Sequence, residues 1–226
     1  MNKSIILLSG GLDSLVSLGY SKKHTNYNVE LALTFDYGQK SLKNEIEASR
    51  KIANFYGVKH KIIKLDWLKE ITKTSLVADK EVPTEYLATQ ESAEAVWVPN
   101  RNGLFLNIAA AFCDSYGYKY ILYGANKEEG RFFPDNTEDF RAQINKTFEN
   151  STLVKPVVVA PLINYTKDDI VRIAIEEKVP LELVRSCYNS GKKHCGKCDS
   201  CQYLKKALMA NNCDKYIRLL FERYEN

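Results

Sequence analysis

Ile5-Ile6-Leu7-Leu8-Ser9-Gly10-Gly11-Leu12-Asp13-Ser14 reads as a buried strand, a glycine turn and the opening of a helix. The four apolar residues make the strand, Gly10 and Gly11 turn the backbone, and an amphipathic pattern starts after Asp13. Such a turn points backbone N–H groups and the positive end of a helix dipole into one small space, which suits a phosphate or pyrophosphate. The Gly-Lys-Ser/Thr ending of a Walker A loop is missing, so the segment suits holding pyrophosphate rather than transferring a terminal phosphoryl group. An ordinary strand–helix connection is the competing reading, because Gly-Gly turns and Asp or Ser caps are common.

The pattern repeats outward from this stretch. Strands are predicted at 4–8, 30–35, 59–65, 120–123 and 157–159. Helices are predicted at 13–22, 45–56, 104–113, 139–148, 167–177 and 202–209, with Gly57 closing the second and Thr166 capping the 167–177 helix. Residues 67–97 have weak periodicity and are expected as loops and short helices. Strands separated by helices imply an α/β fold with a doubly wound, mainly parallel sheet. Ser9–Ser14 resembles the PP-loop of the ATP pyrophosphatase superfamily, which implies a PP-loop ATP-binding α/β unit over 1–180, and a metal-stapled segment with C-terminal helices is expected over 181–226.

The chain has 226 residues, 45% hydrophobic and 27% charged, with a net charge of +4. That size suits one large domain with an appendage. The charge is too mild to argue for stable nucleic-acid binding, and no apolar run approaches membrane-spanning length. The N-terminal apolar run ends in a glycine turn without a cleavage pattern, so a cytoplasmic protein with no membrane contact is expected. Of six cysteines, Cys113 and Cys213 stand alone and are expected in the core or as incidental residues. Cys187, Cys195, Cys198 and Cys201 cluster, and in a cytosolic chain clustering favours metal over disulfides. Four thiolates can surround Zn²⁺ tetrahedrally at about 2.3 Å and leave no place for water, which makes the zinc structural. An iron–sulfur cluster competes, and a C-x-x-C redox pair lacks its thioredoxin-like context. His194 is expected to flank the site rather than to ligate.

In open α/β sheets ligands bind beyond the carboxyl ends of the strands, here 9–14, 36–39 and 124–126. Phe35 and Tyr37 are candidates for packing against adenine or are core aromatics. Arg101 opens a helix, where a cation is unfavourable unless an anion joins it, and is a candidate phosphate or carboxylate ligand. Lys167 opens another helix and could reach a phosphate. Glu128, Glu129 and Asp135 could bind Mg²⁺ or a substrate amine.

Together, Ser9-Gly-Gly-Leu-Asp-Ser14, Phe35-Asp-Tyr-Gly-Gln39, Val98-Pro-Asn-Arg-Asn102, Gly124-Ala-Asn126, Pro134-Asp135, Ser186-Cys-Tyr188 and Cys195-Gly-Lys-Cys-Asp-Ser-Cys201 resemble the 7-cyano-7-deazaguanine synthase family, a branch of the PP-loop ATP pyrophosphatase superfamily. The resemblance implies an adenine nucleotide alpha hydrolase-like fold. It also implies a cytoplasmic ATP-dependent C–N ligase of queuosine biosynthesis that adenylates 7-carboxy-7-deazaguanine and converts it with ammonia to the nitrile. The implied binding residues for ATP are Leu8, Ser9, Gly10, Gly11, Leu12, Asp13 and Ser14, with Mg²⁺ on the triphosphate. Asp13, Arg101 and Lys167 are the catalytic candidates, and Cys187, Cys195, Cys198 and Cys201 would hold the structural zinc. A homodimer is expected. Three stretches depart from the family pattern. Phe132–Asp139 lacks the Cys-Arg-Pro portion, Val184-Arg185 stands where Thr-Trp is common, and Asn100 replaces the Gly of Pro-Gly-Arg-Asn. A paralogue that joins a deazaguanine-type or other acid to a different amine is the first alternative. A non-catalytic zinc-ribbon binding module is the second.

Overall fold

The protein is described from a computed structural model, which covers residues 2–84 and 89–222. Five strands form one parallel sheet in the order β3-β2-β1-β4-β5, with β1 (Asn2–Leu7), β2 (Tyr27–Asp36), β3 (Lys59–Lys64), β4 (Tyr120–Leu122) and β5 (Val157–Val159). The chain winds outward from β1 to one edge, then restarts at β4 on the other side of β1. The gap between the β1 and β4 exits is therefore the topological switch point, where open α/β sheets bind ligands.

Helices cover both faces. They are α1 (Leu12–His24), α2 (Leu42–Phe55), α3 (Asp66–Ile71), α4 (Gln90–Ala95), α5 (Arg101–Tyr116), α6 (Glu138–Ser151), α7 (Lys167–Glu176), α8 (Asp199–Ala210) and α9 (Asp214–Leu220). The two-residue period of a strand divides β1 and its exit between two cores. Ile6 and Leu8 join Leu15, Val16, Ile170, Leu204 and Ile217 on one face, while Ile5 and Leu7 join Leu106, Ile121 and Phe148 on the other. Ile5 and Ile6 are both fully buried, and each such side chain stabilises the fold by about 1.5–3 kcal/mol. The residues after 181 share an apolar cluster with α1 and α7, in which Cys187, Leu204, Leu208 and Phe221 are buried.

Several helices begin or end beyond the predicted bounds. α5 starts at Arg101 because Asn100 adopts a left-handed backbone, φ 49°, and turns the chain into the helix. Asn is among the non-glycine residues that best tolerate this conformation. β2 begins three residues earlier than predicted, paired with β1 from Tyr27. Between 67 and 97 the chain forms the end of α3, α4 and irregular segments, and 85–88 lie outside the described residues.

Candidate active site

Gly11, with φ −71° and ψ 164°, precedes α1 and gives it no side-chain cap. The first N–H groups of the helix therefore face the switch point with few partners. Gly11 N–H donates to Ser9 Oγ at 3.2 Å, and Leu12 N–H donates to Ser186 Oγ at 3.3 Å. Gly10 has φ +84°, and a Cβ there would lie 2.8 Å from Ala48 Cβ. The β4 exit presses against the same loop. A Cβ on Gly124 would lie 2.8 Å from Ser14 N and 2.9 Å from the Asp13 carbonyl carbon. Glycine at both positions lets three backbone segments meet around one anion-sized space.

Lys167, the first residue of α7, reaches into this space. Its Nζ lies 2.5 Å from Asp13 Oδ2 and 2.8 Å from Glu129 Oε1. The sequence suggested a lysine reaching for phosphate; the structure gives it two carboxylate partners from distant segments. Thr166 and Asp169 form a reciprocal cap that fixes the start of α7, and Glu128 Oε2 accepts the Lys167 backbone N–H at 3.1 Å. Asn126 Oδ1 accepts from the N–H groups of Glu128 and Glu129 at 3.1 and 3.0 Å, holding the acidic pair in place. Burial raises the Asp13 carboxyl above its ordinary value, with the Lys167 charge opposing. For Glu129, burial pushes upward, but the Lys167 charge and hydrogen bonds from Lys167 and Asn126 bring it below its ordinary value. Lys167 is lifted well above the usual lysine range, because Asp13 and Glu129 outweigh its desolvation. Asp13 Oδ1 is buried and has no hydrogen-bond partner among the described residues.

Arg101 Nη1 donates to Tyr37 Oη at 3.3 Å. Burial opposes its charge, but Tyr37 and Asp135 hold the guanidinium firmly protonated. Asp135 takes the place of a cap for α5: its Oδ2 accepts the Asn102 N–H at 3.3 Å, and its Oδ1 accepts from Asn136 Nδ2 at 3.1 Å. Glu128, Glu129 and Asp135 are thus each engaged by neighbouring protein groups. Phe35 stacks on Phe105 with ring centroids 3.9 Å apart, and Tyr37 leans on Phe105 at 5.8 Å. All three rings belong to the core and also line the cavity wall.

Two cavities converge here. One, about 1070 Å³ to its open mouth, lies over Ser9, Gly11, Asp13 and Ser14 and is walled by Phe35, Tyr37 and Phe105. The other, about 880 Å³, is lined by Trp97 and Phe133, whose rings are 6.0 Å apart and nearly parallel, and by Glu128 and Asp135. Arg101, Glu129, Asn136, Lys167, Tyr188 and Ser200 line both. Sequence reading found the strand-exit loops but missed the Lys167–Glu129 pair and the roles of Ser186 and Arg185. These contacts span 38 to 175 positions and leave no local pattern.

The four clustered cysteines come together as expected. The Sγ atoms of Cys187, Cys195, Cys198 and Cys201 lie within 4.8 Å of one another. Cys195 Sγ accepts the N–H groups of Lys197 and Cys198, each at 3.4 Å, over a knuckle turned by Gly196 at φ +72°. Cys187 Sγ accepts the Cys195 N–H at 3.4 Å. Amide donors aimed at sulfur support thiolates, so this donor set suits a tetrahedral metal ion. Hydrogen bonds from Cys198 and Cys201 draw Cys187 strongly toward thiolate, and the same hydrogen bond to Cys187 pushes Cys198 upward. His194 is no ligand. Its Nε2 accepts the Ser186 N–H at 3.0 Å, and its Nδ1 faces the Leu220 carbonyl at 3.1 Å. Burial, helped by the Arg185 charge, lowers it to about 4, so it is neutral and donates from Nδ1. Cys113 is fully buried in the core.

The four-cysteine segment is bound directly to the Ser9–Ser14 loop. Arg185 N–H donates to the Gly10 carbonyl at 2.8 Å, and Ser186, whose own N–H is held by His194, accepts from Leu12.

Comparison with known proteins places this geometry. The family model described as "Queuosine biosynthesis protein QueC" matches residues 3–212. Among curated relatives, the 7-cyano-7-deazaguanine synthase of Carboxydothermus hydrogenoformans is 49% identical, the match covering 93% of this chain and 100% of that protein. The synthases of Methanosarcina barkeri and Bdellovibrio bacteriovorus are 46% and 44% identical, over 88% and 94% of this chain and 90% and 95% of theirs. Among solved structures, the U34-tRNA thiolase NcsA of Methanococcus maripaludis with its [4Fe-4S] cluster aligns with TM-score 0.52 and 18% identity, covering 99% of this chain and 73% of that one. A 4-thiouridine synthetase–RNA complex with bound ATP aligns with TM-score 0.51 and 20% identity, over 96% of this chain and 52% of that one. These two share the fold. The altered stretches at 132–139 and 184–185 lie inside the matched span, and the chain belongs to the QueC family, whose curated relatives are synthases.

Proposed function

We propose that the chain adenylates the carboxylate of 7-carboxy-7-deazaguanine and completes its conversion to 7-cyano-7-deazaguanine with ammonia. The observation that carries this reading is the meeting of two cavities at Arg101 and Lys167, one floored by the phosphate loop and one lined by Trp97, Phe133 and Asp135. ATP occupies the first, with its phosphates on Ser9–Ser14. The planar deazaguanine occupies the second, where carboxylates can accept its N–H groups and the aromatic rings pack on its face.

The substrate oxygen itself attacks the α-phosphorus, so no side-chain nucleophile is needed. The P–O bond to the β-phosphate breaks, and pyrophosphate leaves against the helix N-terminus. Ammonia adds to the acyl carbon and AMP departs, giving the amide. The amide oxygen then attacks the α-phosphorus of a second ATP and releases a second pyrophosphate; loss of AMP, which carries off the amide oxygen, and of two protons from nitrogen gives the nitrile. Arg101 and Lys167 orient the carboxylate and steady the charge moving onto phosphate oxygens. Asp13 and Glu129 hold Lys167 at that junction, and Tyr37 holds Arg101.

The unpartnered Asp13 Oδ1 suits a Mg²⁺ arriving with the triphosphate, whose charge the ion would offset when bound. Cys187, Cys195, Cys198 and Cys201 would hold Zn²⁺, a structural ion tying the 187–201 loop together. A homodimer is the proposed assembly and the cytoplasm the proposed location. No helix among the described residues is long and apolar enough to cross a membrane.

Mass spectrometry of products from 7-carboxy-7-deazaguanine, ATP, Mg²⁺ and ammonia tests the reading. The nitrile, AMP and pyrophosphate are expected. An amide alone, a conjugate with another amine, or ADP and phosphate would overturn it.

A further inference from the structure

The fold buries Arg185 beside the loop that opens α1. It is only 7% exposed and lines the cavity over the phosphate loop. Its Nη2 donates to the Asn189 carbonyl at 2.7 Å, and its Nε is buried with no hydrogen-bond partner. No carboxylate lies within ion-pair distance of it among the described residues. The nearby Glu45 has its oxygens taken by Ser41 Oγ at 2.5 Å and Gln39 Nε2 at 2.8 Å. A guanidinium cannot shed its charge to relieve burial, so a desolvated arginine with an empty donor is unfavourable until an anion completes it.

The cavity that Arg185 lines is the one over Ser9, Gly11, Asp13 and Ser14. Arg185 N–H is bonded to the Gly10 carbonyl, so the side chain is rooted on the loop that opens α1. Lys167 already shares its charge between Asp13 and Glu129, so it cannot by itself balance a pyrophosphate. We propose that Arg185 is a pyrophosphate-binding residue of this chain, donating from Nε to the β- and γ-phosphate end of ATP and to the pyrophosphate that leaves. This rests on the reading of Ser9–Ser14 as the phosphate loop. It deepens that reading by assigning the leaving group a cation of its own, on the metal-bound segment.

The test is calorimetric binding of inorganic pyrophosphate and, separately, of AMP to the full metal-loaded chain. The variants are Arg185→Gln, Arg185→Lys and Gly11→Val, each checked for metal content and folding. Charge-assisted hydrogen bonds predict that R185Q weakens pyrophosphate by roughly ten- to a hundredfold and leaves AMP binding unchanged. R185K recovers part of the loss, since lysine keeps the charge but not the fork. G11V, whose Cβ would lie 3.3 Å from Ser9 Oγ inside the cradle, abolishes pyrophosphate binding. Unchanged pyrophosphate affinity in R185Q with loss in G11V would refute the role of Arg185 and leave the loop standing. Unchanged affinity in both variants would refute the loop reading as well. Equal weakening of pyrophosphate and AMP in R185Q would mean a distorted loop and would also refute the proposal.

Discussion

Lys167→Met removes the cation that two buried carboxylates share. At 2.5 and 2.8 Å the gross attractions are each of order 6 kcal/mol at an effective dielectric constant of 20. Most of this offsets desolvation. The Lys167 and Asp13 side chains are only 12% and 16% exposed, whereas Glu129 at 37% is partly screened and contributes less. Removing one member of a buried pair leaves an uncompensated charge and costs about 3–5 kcal/mol. For a chain of this size that is a fall in melting temperature of roughly 6–20 °C. The deficit depends on pH with a definite sign. Without Lys167, the folded-state pKa of Asp13 rises further above its unfolded value, so the folded variant takes up a proton more readily than the unfolded chain. The penalty is full above that raised pKa and fades as pH falls through it toward 3.8. Urea denaturation of wild type and K167M at pH 8 and pH 5, with metal content matched, measures both quantities. A large deficit at pH 8 that shrinks at pH 5 is expected, and Asp13→Asn in the K167M background should restore much of it. Equal stability at pH 8, or a deficit independent of pH, would refute the pairing.

Asp13→Ala should abolish AMP and pyrophosphate release while elemental analysis still finds one metal site filled, because Asp13 is remote in sequence and role from the four cysteines. Gly124→Ala places a Cβ 2.8 Å from Ser14 N, so the backbone must shift at a cost of roughly 1–3 kcal/mol; a thermal melt and an ATP titration should show both destabilisation and weakened nucleotide binding. Stripping the metal with a chelator should raise KM for ATP, not only lower the melting temperature, since Ser186 and Arg185 join Cys187 to Leu12 and Gly10. Unchanged KM in the stripped, folded protein would contradict that link.

The parallel sheet could be anticipated from Ile5–Leu8 and the later apolar runs, because a parallel sheet needs strands buried on both faces. The cysteine set was equally readable, since Cys195, Cys198 and Cys201 carry their spacing locally. Lys167 stands out for its place at a helix start and Glu129 as a possible Mg²⁺ or amine ligand, but their pairing does not, because a contact across 38 positions is a property of the closed fold. Asn100 was not expected to set the helix start, yet its left-handed backbone turns the chain into α5. Arg185 looked like a departure from the family; its burial without a carboxylate partner among the described residues emerges only when the four-cysteine segment packs onto the Ser9–Ser14 loop.

The central claim is that the substrate's own carboxylate oxygen attacks the α-phosphorus of ATP over Ser9–Ser14. The most direct measurement uses 7-carboxy-7-deazaguanine labelled with ¹⁸O in the carboxylate, with ATP, Mg²⁺ and ammonia, and mass spectrometry of the nucleotide product. Carboxylate label recovered in the phosphoryl group of AMP, with unlabelled pyrophosphate, is the predicted result. Unlabelled AMP, or label appearing in inorganic phosphate beside ADP, would contradict it.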